Sequence, residues 1–339
     1  MPQRTRIVDV ASAAGVSVAT VSLALSGGGR MSDETRERVR AIAAAMNYAP
    51  NRLASSLRSQ RSRLIGLLSD EIATTPFAGR VVLGAQDAAA ELGMLLLVAN
   101  SNGRPEVEAD QLRQLLAHQV DGLIYAKMFH QHALPPKGLG KTPMVMVDVV
   151  TPGSDVPTIV PDEVQIGRMA TERLIEAGHR NIAFLNGGSS TPATRGRLQG
   201  YQDALKHAGI PWDPALVHIG QATTSGGREA CLAALSVAHP PTAVFCFNDQ
   251  MAMGAYQAAS ERGLRIPTDL SVIGVDNLEL ISGALSPGLT TVALPHYEMG
   301  RWAVMQLDEL IRGSGAQADG LTELACQLIE RESVGAPSR

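Results

Sequence analysis

Cysteine is scarce in this chain and odd in number. Only Cys231, Cys246 and Cys326 occur, and none stands at C-x-x-C spacing. That count excludes a disulfide framework and offers no zinc motif. No apolar run approaches the ~20 residues of a membrane span. There is no nucleophile elbow, no metal-spaced cluster and no phosphate-binding glycine loop. The one glycine run, Gly27-Gly28-Gly29, follows a helical stretch rather than a strand. Acid/base work by Asp148, Asp276 or the scattered histidines therefore has no supporting motif, and neither catalysis nor a bound cofactor is expected. Repeats are absent. The opening Met-Pro-Gln-Arg-Thr-Arg leads into an amphipathic helix rather than a secretory signal, so the cytoplasm is the expected compartment. Lysine is nearly missing: four residues, so arginine carries most of the positive charge.

The informative pattern lies at the start. Residues 9–25 read as an apolar-striped helix, a glycine turn, a serine start signal and a second short helix. That is the arrangement of a helix-turn-helix, whose second helix fits the DNA major groove. Val10, Ala13 and Ala14 share helical spacing and are expected to face inward. Gly15 suits the left-handed conformation that ends a helix. Ser17 is the expected N-cap of the next helix. Val21 and Leu25 form its inner stripe, leaving Thr20 and Ser22 for solvent or phosphate. A third helix is predicted over Ser32–Met46, closed by Val39, Ile42 and Met46, with Asp33 and Glu34 where the helix dipole favours them.

Charge is segregated. Residues 1–63 hold ten arginines and four acids, a net of +6, whereas the remainder carries a net of −10. A basic head on an acidic body is the electrostatic footprint of nucleic-acid binding. The bland alternative is a solvated arginine-rich face. Joined to the helix-turn-helix, the footprint favours DNA.

Pro50 suits a helix start, and Asn51–Arg58 would add about two turns. A helix so short is marginal in water. Ordering eight residues costs about 8–16 kcal/mol gross, so it needs a partner to hold it. After Arg63 short apolar runs alternate with helical stretches. Strands are predicted at 64–68, 94–99, 122–125 and 144–147, then at 181–185, 243–247 and 272–275. Helices are predicted at 80–91, 106–118, 166–177 and 250–262. Continuous apolar strands alternating with helices indicate parallel sheets covered on both faces, and two such series indicate two α/β lobes. Ligands sit at the carboxyl ends of such strands, where Asp70, Asp148, Asn186, Asn248 and Asp276 fall. Asp249 is expected to cap the helix beginning at Gln250. Gly178-His179-Arg180 reads as a helix end with favourable charges rather than a site.

In order along the chain, Asp9-Val10-Ala11, Ala14-Gly15-Val16-Ser17, Thr20-Val21-Ser22, Asn47-Tyr48-Ala49-Pro50-Asn51, Ala54-Ser55-Ser56-Leu57-Arg58, Asp121-Gly122-Leu123-Ile124, Gly178-His179-Arg180-Asn181-Ile182, Arg197-Leu198-Gln199-Gly200-Tyr201, Asn248-Asp249-Gln250-Met251-Ala252-Met253-Gly254, Val275-Asp276-Asn277 and Arg331-Glu332-Ser333 resemble the lactose/galactose repressor family of bacterial transcription regulators. The resemblance covers essentially the whole chain. It implies an all-α helix-turn-helix DNA-binding domain over 1–48, a hinge helix and linker over 49–63, and a two-lobed α/β effector domain over 64–339 with the parallel sheets of periplasmic binding proteins. Crossovers near Ile159, Val292 and Leu321 would divide that domain into one lobe of 64–159 and 293–320 and another of 160–292 and 321–335.

The resemblance also implies roles. Ser17, Val18, Ala19, Thr20, Ser22 and Leu23 would face the major groove of operator DNA. Val18, Ala19 and Leu23 are apolar where relatives place base-reading side chains, often arginine at the position of Leu23. Such side chains contact a thymine methyl but make no bidentate hydrogen bond. Modest base discrimination is therefore expected, with more specificity from the hinge and DNA shape. Asn51, Ala54, Leu57 and Arg58 would lie in the minor groove, with Leu57 as the wedge that opens a base step; packing of Leu53 and Leu57 between paired hinges is compatible with that. Phe77, Asp148, Arg197, Asn248 and Asp276 would contact a small-molecule effector. A structural salt bridge is the alternative for Arg197 and Asp276, and a turn or cap role for Asp148. Thr191 and Ala222 replace the arginine and stacking phenylalanine of the purine-repressor branch, which leaves a sugar or sugar derivative as the expected effector. Trp212 and Tyr201 are expected in the core. The tail after Glu332 lacks heptad leucines, so a homodimer is expected rather than a tetramer. The reading is of a repressor under allosteric effector control. A transport-linked sugar-binding protein with the same body is the alternative, and the basic head counts against it.

Overall fold

The computed structural model describes residues 5–48, 61–313 and 320–338, apart from Gly27, Gly29, Thr74, Pro76 and Phe77. The chain divides into two compact units, Met1–Ser62 and Arg63–Arg339.

The first unit contains α1 (Ile7–Ala14), α2 (Val18–Ser26) and α3 (Asp33–Ala45). Asp9 accepts a hydrogen bond from the Arg6 backbone N–H at 2.7 Å and so satisfies a donor that the start of α1 leaves free. Gly15 closes α1 at φ +65°, its N–H returning to carbonyls of the last turn. Ser17 then caps α2, its hydroxyl accepting from Thr20 N at 3.1 Å, and Ser32 caps α3 in the same way. The two helices of the motif meet at 99°, within the ~90–120° of helix-turn-helix pairs. Val10, Ala11, Ala14, Val21, Ala24, Val39 and Ala43 form the core. Ala13, expected inward, is exposed. The stripe runs through Val10, Ala11 and Ala14, because i, i+1 and i+4 line one face of so short a helix.

The second unit has two sheets of one design. The first takes β1 (Leu64–Ser69), β2 (Leu95–Asn100), β3 (Gly122–His132), β4 (Met144–Val150), β5 (Thr158–Pro161) and β11 (Leu321–Leu324). Its order is β11-β5-β4-β3-β1-β2. The second takes β6 (Ile182–Gly187), β7 (Val217–Gly220), β8 (Ala243–Cys246), β9 (Ser271–Asp276), β10 (Thr290–Ala293) and β12 (Gln327–Ile329), ordered β12-β10-β9-β8-β6-β7. Every pairing is parallel except β10 with β12. Central strands are buried along nearly their whole length, Ile65, Leu67, Phe184, Phe245 and Ile273 being fully inaccessible, so they read as continuous apolar runs. The repeated order, second strand outside the first, creates a switch point in each sheet above which ligands bind.

Helices α4 (Ala78–Glu91), α5 (Pro105–Ala117) and α11 (His296–Arg312) cover the first sheet. Helices α6 (Glu163–Glu176), α7 (Pro192–His207), α8 (Thr224–Ala234) and α9 (Asp249–Glu261) cover the second, and the short α10 (Glu279–Ser282) follows β9. Glycine sets two of the closest crossings. A methyl on Gly300 of α11 would overlap the Val81 carbonyl of α4, and one on Gly200 of α7 would overlap the Val164 carbonyl of α6.

The crossovers differ from the sequence boundaries in one respect. β5 runs to Pro161 and β10 to Ala293 before the chain changes sheet. β11 pairs in parallel with β5, Leu321 opposite Thr158. Leu321–Leu324 therefore belong to the first lobe rather than the second, and the third crossing falls between β11 and β12. The signal was absent because β11 is a half-exposed edge strand identified by its backbone pairing. His179, read as a helix-end charge, is 1 % exposed. Its Nδ1 meets Thr242 Oγ1 and its Nε2 meets Ser271 Oγ and the Gly335 carbonyl, all at 2.9 Å. Ser333 likewise accepts from Thr290 N and donates to the Val272 carbonyl. Both tether the tail to the second sheet.

Gly300→Ala is expected to destabilise the body by about 1–3 kcal/mol, the usual cost of overpacking. Urea unfolding of the variant checks this.

Candidate functional site

In the first unit the start of α2 stands clear of the core. Val18 is 41 % and Leu23 44 % exposed. Ser17 and Ala19 are exposed and Thr20 and Ser22 partly so. Ser17 and Thr20 share a 2.9 Å hydroxyl contact in addition to the cap, so both are held in place and still reach solvent. The surface of α2 is thus two large apolar side chains set among hydroxyls, suited to methyl contact and phosphate positioning. Asn51, Ala54, Leu57 and Arg58, and in the body Phe77, lie outside the described residues.

In the second unit Asp148, Arg197, Asn248 and Asp276 line one cavity of about 570 Å³, within the ~300–1,000 Å³ of small-molecule sites. Asp148 comes from β4 and Asp276 from the end of β9. Both backbones are left-handed, at φ +57° and +114°. For non-glycine residues this costs about 1–3 kcal/mol each and concentrates at functional positions. Burial pushes both carboxyls well above the ordinary range. Repulsion by Glu163 for Asp148, and by Asp249 for Asp276, adds to it, while Arg197 opposes it.

Arg197 is 4 % exposed. Its Nε donates to Glu163 Oε2 at 2.8 Å, its Nη1 donates to the Phe247 carbonyl, and its guanidinium lies 4.3 Å from the Phe247 ring centroid. Glu163 is the first residue of α6. Burial works against its charge, but Arg197 and His130 outweigh that and hold its carboxyl below the usual value. The close α6–α7 crossing brings the pair together: a methyl on Gly167 would strike the Arg197 backbone. The third member, His130, comes from the other lobe, with Nδ1 at 3.3 Å from Glu163 Oε1. Its position depends on a break in the β3–β4 register between Ala126 and Gln131, pinned by Asp70, which accepts from Met128 N at 3.1 Å. Such bulges re-aim side chains beside sites. A second histidine of β3, His132, contacts Arg195 of α7 through Nε2 at 3.0 Å.

Two expectations change. Asn248, not Asp249, caps α9, its Oδ1 accepting from Met251 N at 2.8 Å while its Nδ2 donates to the Ala222 carbonyl. One amide hydrogen remains for a ligand. Asp249 is instead the first residue of the helix, fully buried, accepting from Leu278 N at 2.7 Å and Thr291 Oγ1 at 2.6 Å. Burial raises its carboxyl to about 7 despite those bonds. Asn186 is likewise internal, accepting from Gly187 N and donating to the Thr194 carbonyl. Tyr201 is buried with its hydroxyl on the Ile182 carbonyl, and Trp212 packs edge-on against it, as expected of core aromatics. Thr191 and Ala222 both line the cavity. Sequence reading missed His130, Glu163, Phe247 and His296. Phe247 and Glu163 had weak signals, next to Asn248 and just after a cap at Asp162; the bulge that delivers His130 had none.

Among the described residues no group of three or more His, Cys, Asp or Glu could hold a metal ion. The cavity is lined by three carboxyl groups, the amides of Gln131, Gln221 and Asn248, two imidazoles, several hydroxyls and one guanidinium, set against apolar wall.

The architecture matches a known class. Residues 6–51 match the model of bacterial regulatory proteins of the lacI family, and residues 62–329 match that of periplasmic binding proteins and the sugar-binding domain of the LacI family. A helix-turn-helix unit and a two-lobed binding body on one chain define a DNA-binding transcription regulator. The chain belongs to the LacI family. It is 37 % identical over 301 residues to the transcriptional regulator DegA of Bacillus subtilis, covering 88 % of each chain. It is 34 % identical over 336 residues to the transcriptional repressor CytR of Escherichia coli, covering 97 % of this chain and 96 % of that one. The lac repressor dimer bound to operator and an anti-inducer superposes with a TM-score of 0.79 at 31 % identity, over 98 % of this chain and 100 % of the other.

Glu163→Ala leaves Arg197 buried and unpaired, and is expected to cost about 3–5 kcal/mol. Replacing both by methionine is expected to cost less than either single change. Chemical denaturation of the three variants checks the ordering.

Proposed function

We propose that this regulator acts as a homodimeric repressor in the cytoplasm. Each first unit presents α2 to the major groove, and residues Asn51–Arg58 enter the minor groove with Leu57 as the wedge. The 570 Å³ cavity binds a sugar or sugar derivative through Asp148, Arg197, Asn248 and Asp276, with Phe77 against it. The carrying observation is the convergence of these polar groups from both lobes on one cavity, in a chain that also carries a helix-turn-helix. Each hydroxyl of a polyol both donates, to a carboxylate, and accepts, from a guanidinium or amide. Bound effector alters the lobe angle and through it the pairing of the two hinges. Coupling of this kind amounts to about 1–3 kcal/mol. The cavity binds without turnover.

Dimerisation is supported by the outer strands. β2 ends one sheet and β7 the other, and Leu95, Val98 and Ile219 on them are about half exposed or more. Such edges invite covering. Among the described residues no single helix is long and apolar enough to cross a membrane.

Operator affinity is expected to fall by about 10³-fold or more between 50 and 200 mM salt if six to ten phosphates are contacted. Fluorescence anisotropy at several salt concentrations measures it. In a randomised-site selection the position facing Leu23 is expected to tolerate all bases or prefer thymine; a strict requirement for guanine there contradicts the reading of α2. Sedimentation equilibrium is expected to give a dimer, and a stable tetramer contradicts it.

A further inference from the structure

Among the motifs shared with the family, Asp121-Gly122-Leu123-Ile124 lies in neither the first unit nor the wall of the cavity. Gly122, Leu123 and Ile124 open β3 and serve the packing of the first sheet. A methyl on Gly122 would crowd the Leu307 side chain of α11. Asp121, which precedes the strand, does something different. Its Oδ2 accepts from the backbone N–H of Arg63 at 2.9 Å, across 58 residues of chain. Its own N–H donates to the Leu64 carbonyl at 2.8 Å.

Arg63 is the first residue of the second unit and directly precedes β1. Its backbone is left-handed, at φ +57°, a conformation that arginine disfavours. Its N–H is taken by Asp121, and its carbonyl accepts from the N–H of Leu95, the first residue of β2, at 2.9 Å. Both polar groups of this one peptide unit are thus tied to the starts of the strands on either side of β1. The guanidinium lies close to the turn before β2, where a Cβ on Gly93 would come within 3.1 Å of Arg63 Nη1. The dihedral held here matters for everything before it. Rotating φ from +57° to the ~−120° of an extended strand swings the preceding chain through about half a revolution.

We propose that Asp121 is a positioning residue for operator binding: by holding Arg63 left-handed it fixes the direction in which the chain leaves the body toward the DNA-binding unit. The proposal rests on the reading of a homodimer that grips a twofold operator. Half-sites on a duplex stand at a set distance and a set rotation, ~35° per base pair. Two chains leaving their bodies in fixed directions match one such spacing. When Arg63 relaxes to its preferred extended backbone, only a fraction of dimers has both chains aimed, and the apparent affinity falls by that fraction. Binding to arbitrary sequence, which asks for phosphate contacts but no half-site spacing, is left as it was.

Four variants of the full-length protein separate geometry from charge. Asp121→Ala removes the acceptor, and Asp121→Asn keeps one. Arg63→Val and Arg63→Asn both remove the guanidinium, with any phosphate contact it makes, but asparagine tolerates the left-handed region and valine does not. The probes are the palindromic duplex that the wild type selects from fragmented genomic DNA, the same duplex with one or two base pairs added at its centre, and a random-sequence duplex of equal length. Affinities are measured by fluorescence anisotropy on protein shown to be folded by circular dichroism and dimeric by sedimentation. Asp121→Ala and Arg63→Val are expected to lower the ratio of palindrome to random-sequence affinity about tenfold and to flatten the dependence on the added base pairs. The two asparagine variants are expected to keep the wild-type ratio and spacing dependence. A merely structural role for Asp121 would lower the melting temperature and leave both readouts unchanged. Equal ratios for Asp121→Ala and the wild type, or for Arg63→Val and Arg63→Asn, overturn the proposal and leave the regulator reading intact. Absence of any selected palindrome, or of a dimer, removes both. Should Asp121→Ala fail to fold, the Arg63 pair decides the matter.

Discussion

The cleft is organised around the buried pair between Arg197 and Glu163. Glu163 opens α6 and Arg197 sits one turn into α7, and the helices approach closely enough only because Gly167 and Gly200 carry no side chain. Left alone, either charge would be costly in so dry a setting. Paired, they also hold His130 of the other lobe and stack Arg197 on Phe247. The network thus joins the two lobes by directional hydrogen bonds as well as by packing.

Much of the plan was legible in the residues. The first unit was written in local chemistry: Gly15 at a left-handed turn, Ser17 and Ser32 as caps, Val10 and Val21 facing inward. These depend on near neighbours, so a single sequence reveals them, and only Ala13 and Ala11 exchanged places. The central strands were legible because both faces are covered and each contains a continuous apolar run. Edge and crossover strands were not. β11 and β12 are short and half exposed, and what defines them is a partner far away in the chain.

The cleft was half legible. Strand-end polar residues at Asp148, Asn248 and Asp276 follow from the rule that such positions face the crevice, and Arg197 came from the family resemblance. The cap moved from Asp249 to Asn248, which also lines the cavity, because both are good caps at adjacent positions and only the backbone decides which one stands outside the helix. His130 was hidden: its place depends on a register break held by Asp70, 58 residues away. Glu163 carried only the weak mark of standing just after the cap residue Asp162.

The two units divide the labour that the family membership assigns. A small, locally encoded module bears the positive charge and the exposed face of α2. A larger body carries the acid excess and the cavity proposed above as the effector site. The most direct test of this account is selection from fragmented genomic DNA by the purified full-length protein at low ionic strength. The account predicts enrichment of a small set of fragments that share a twofold-symmetric sequence. Failure to enrich any fragment above bulk DNA would contradict it.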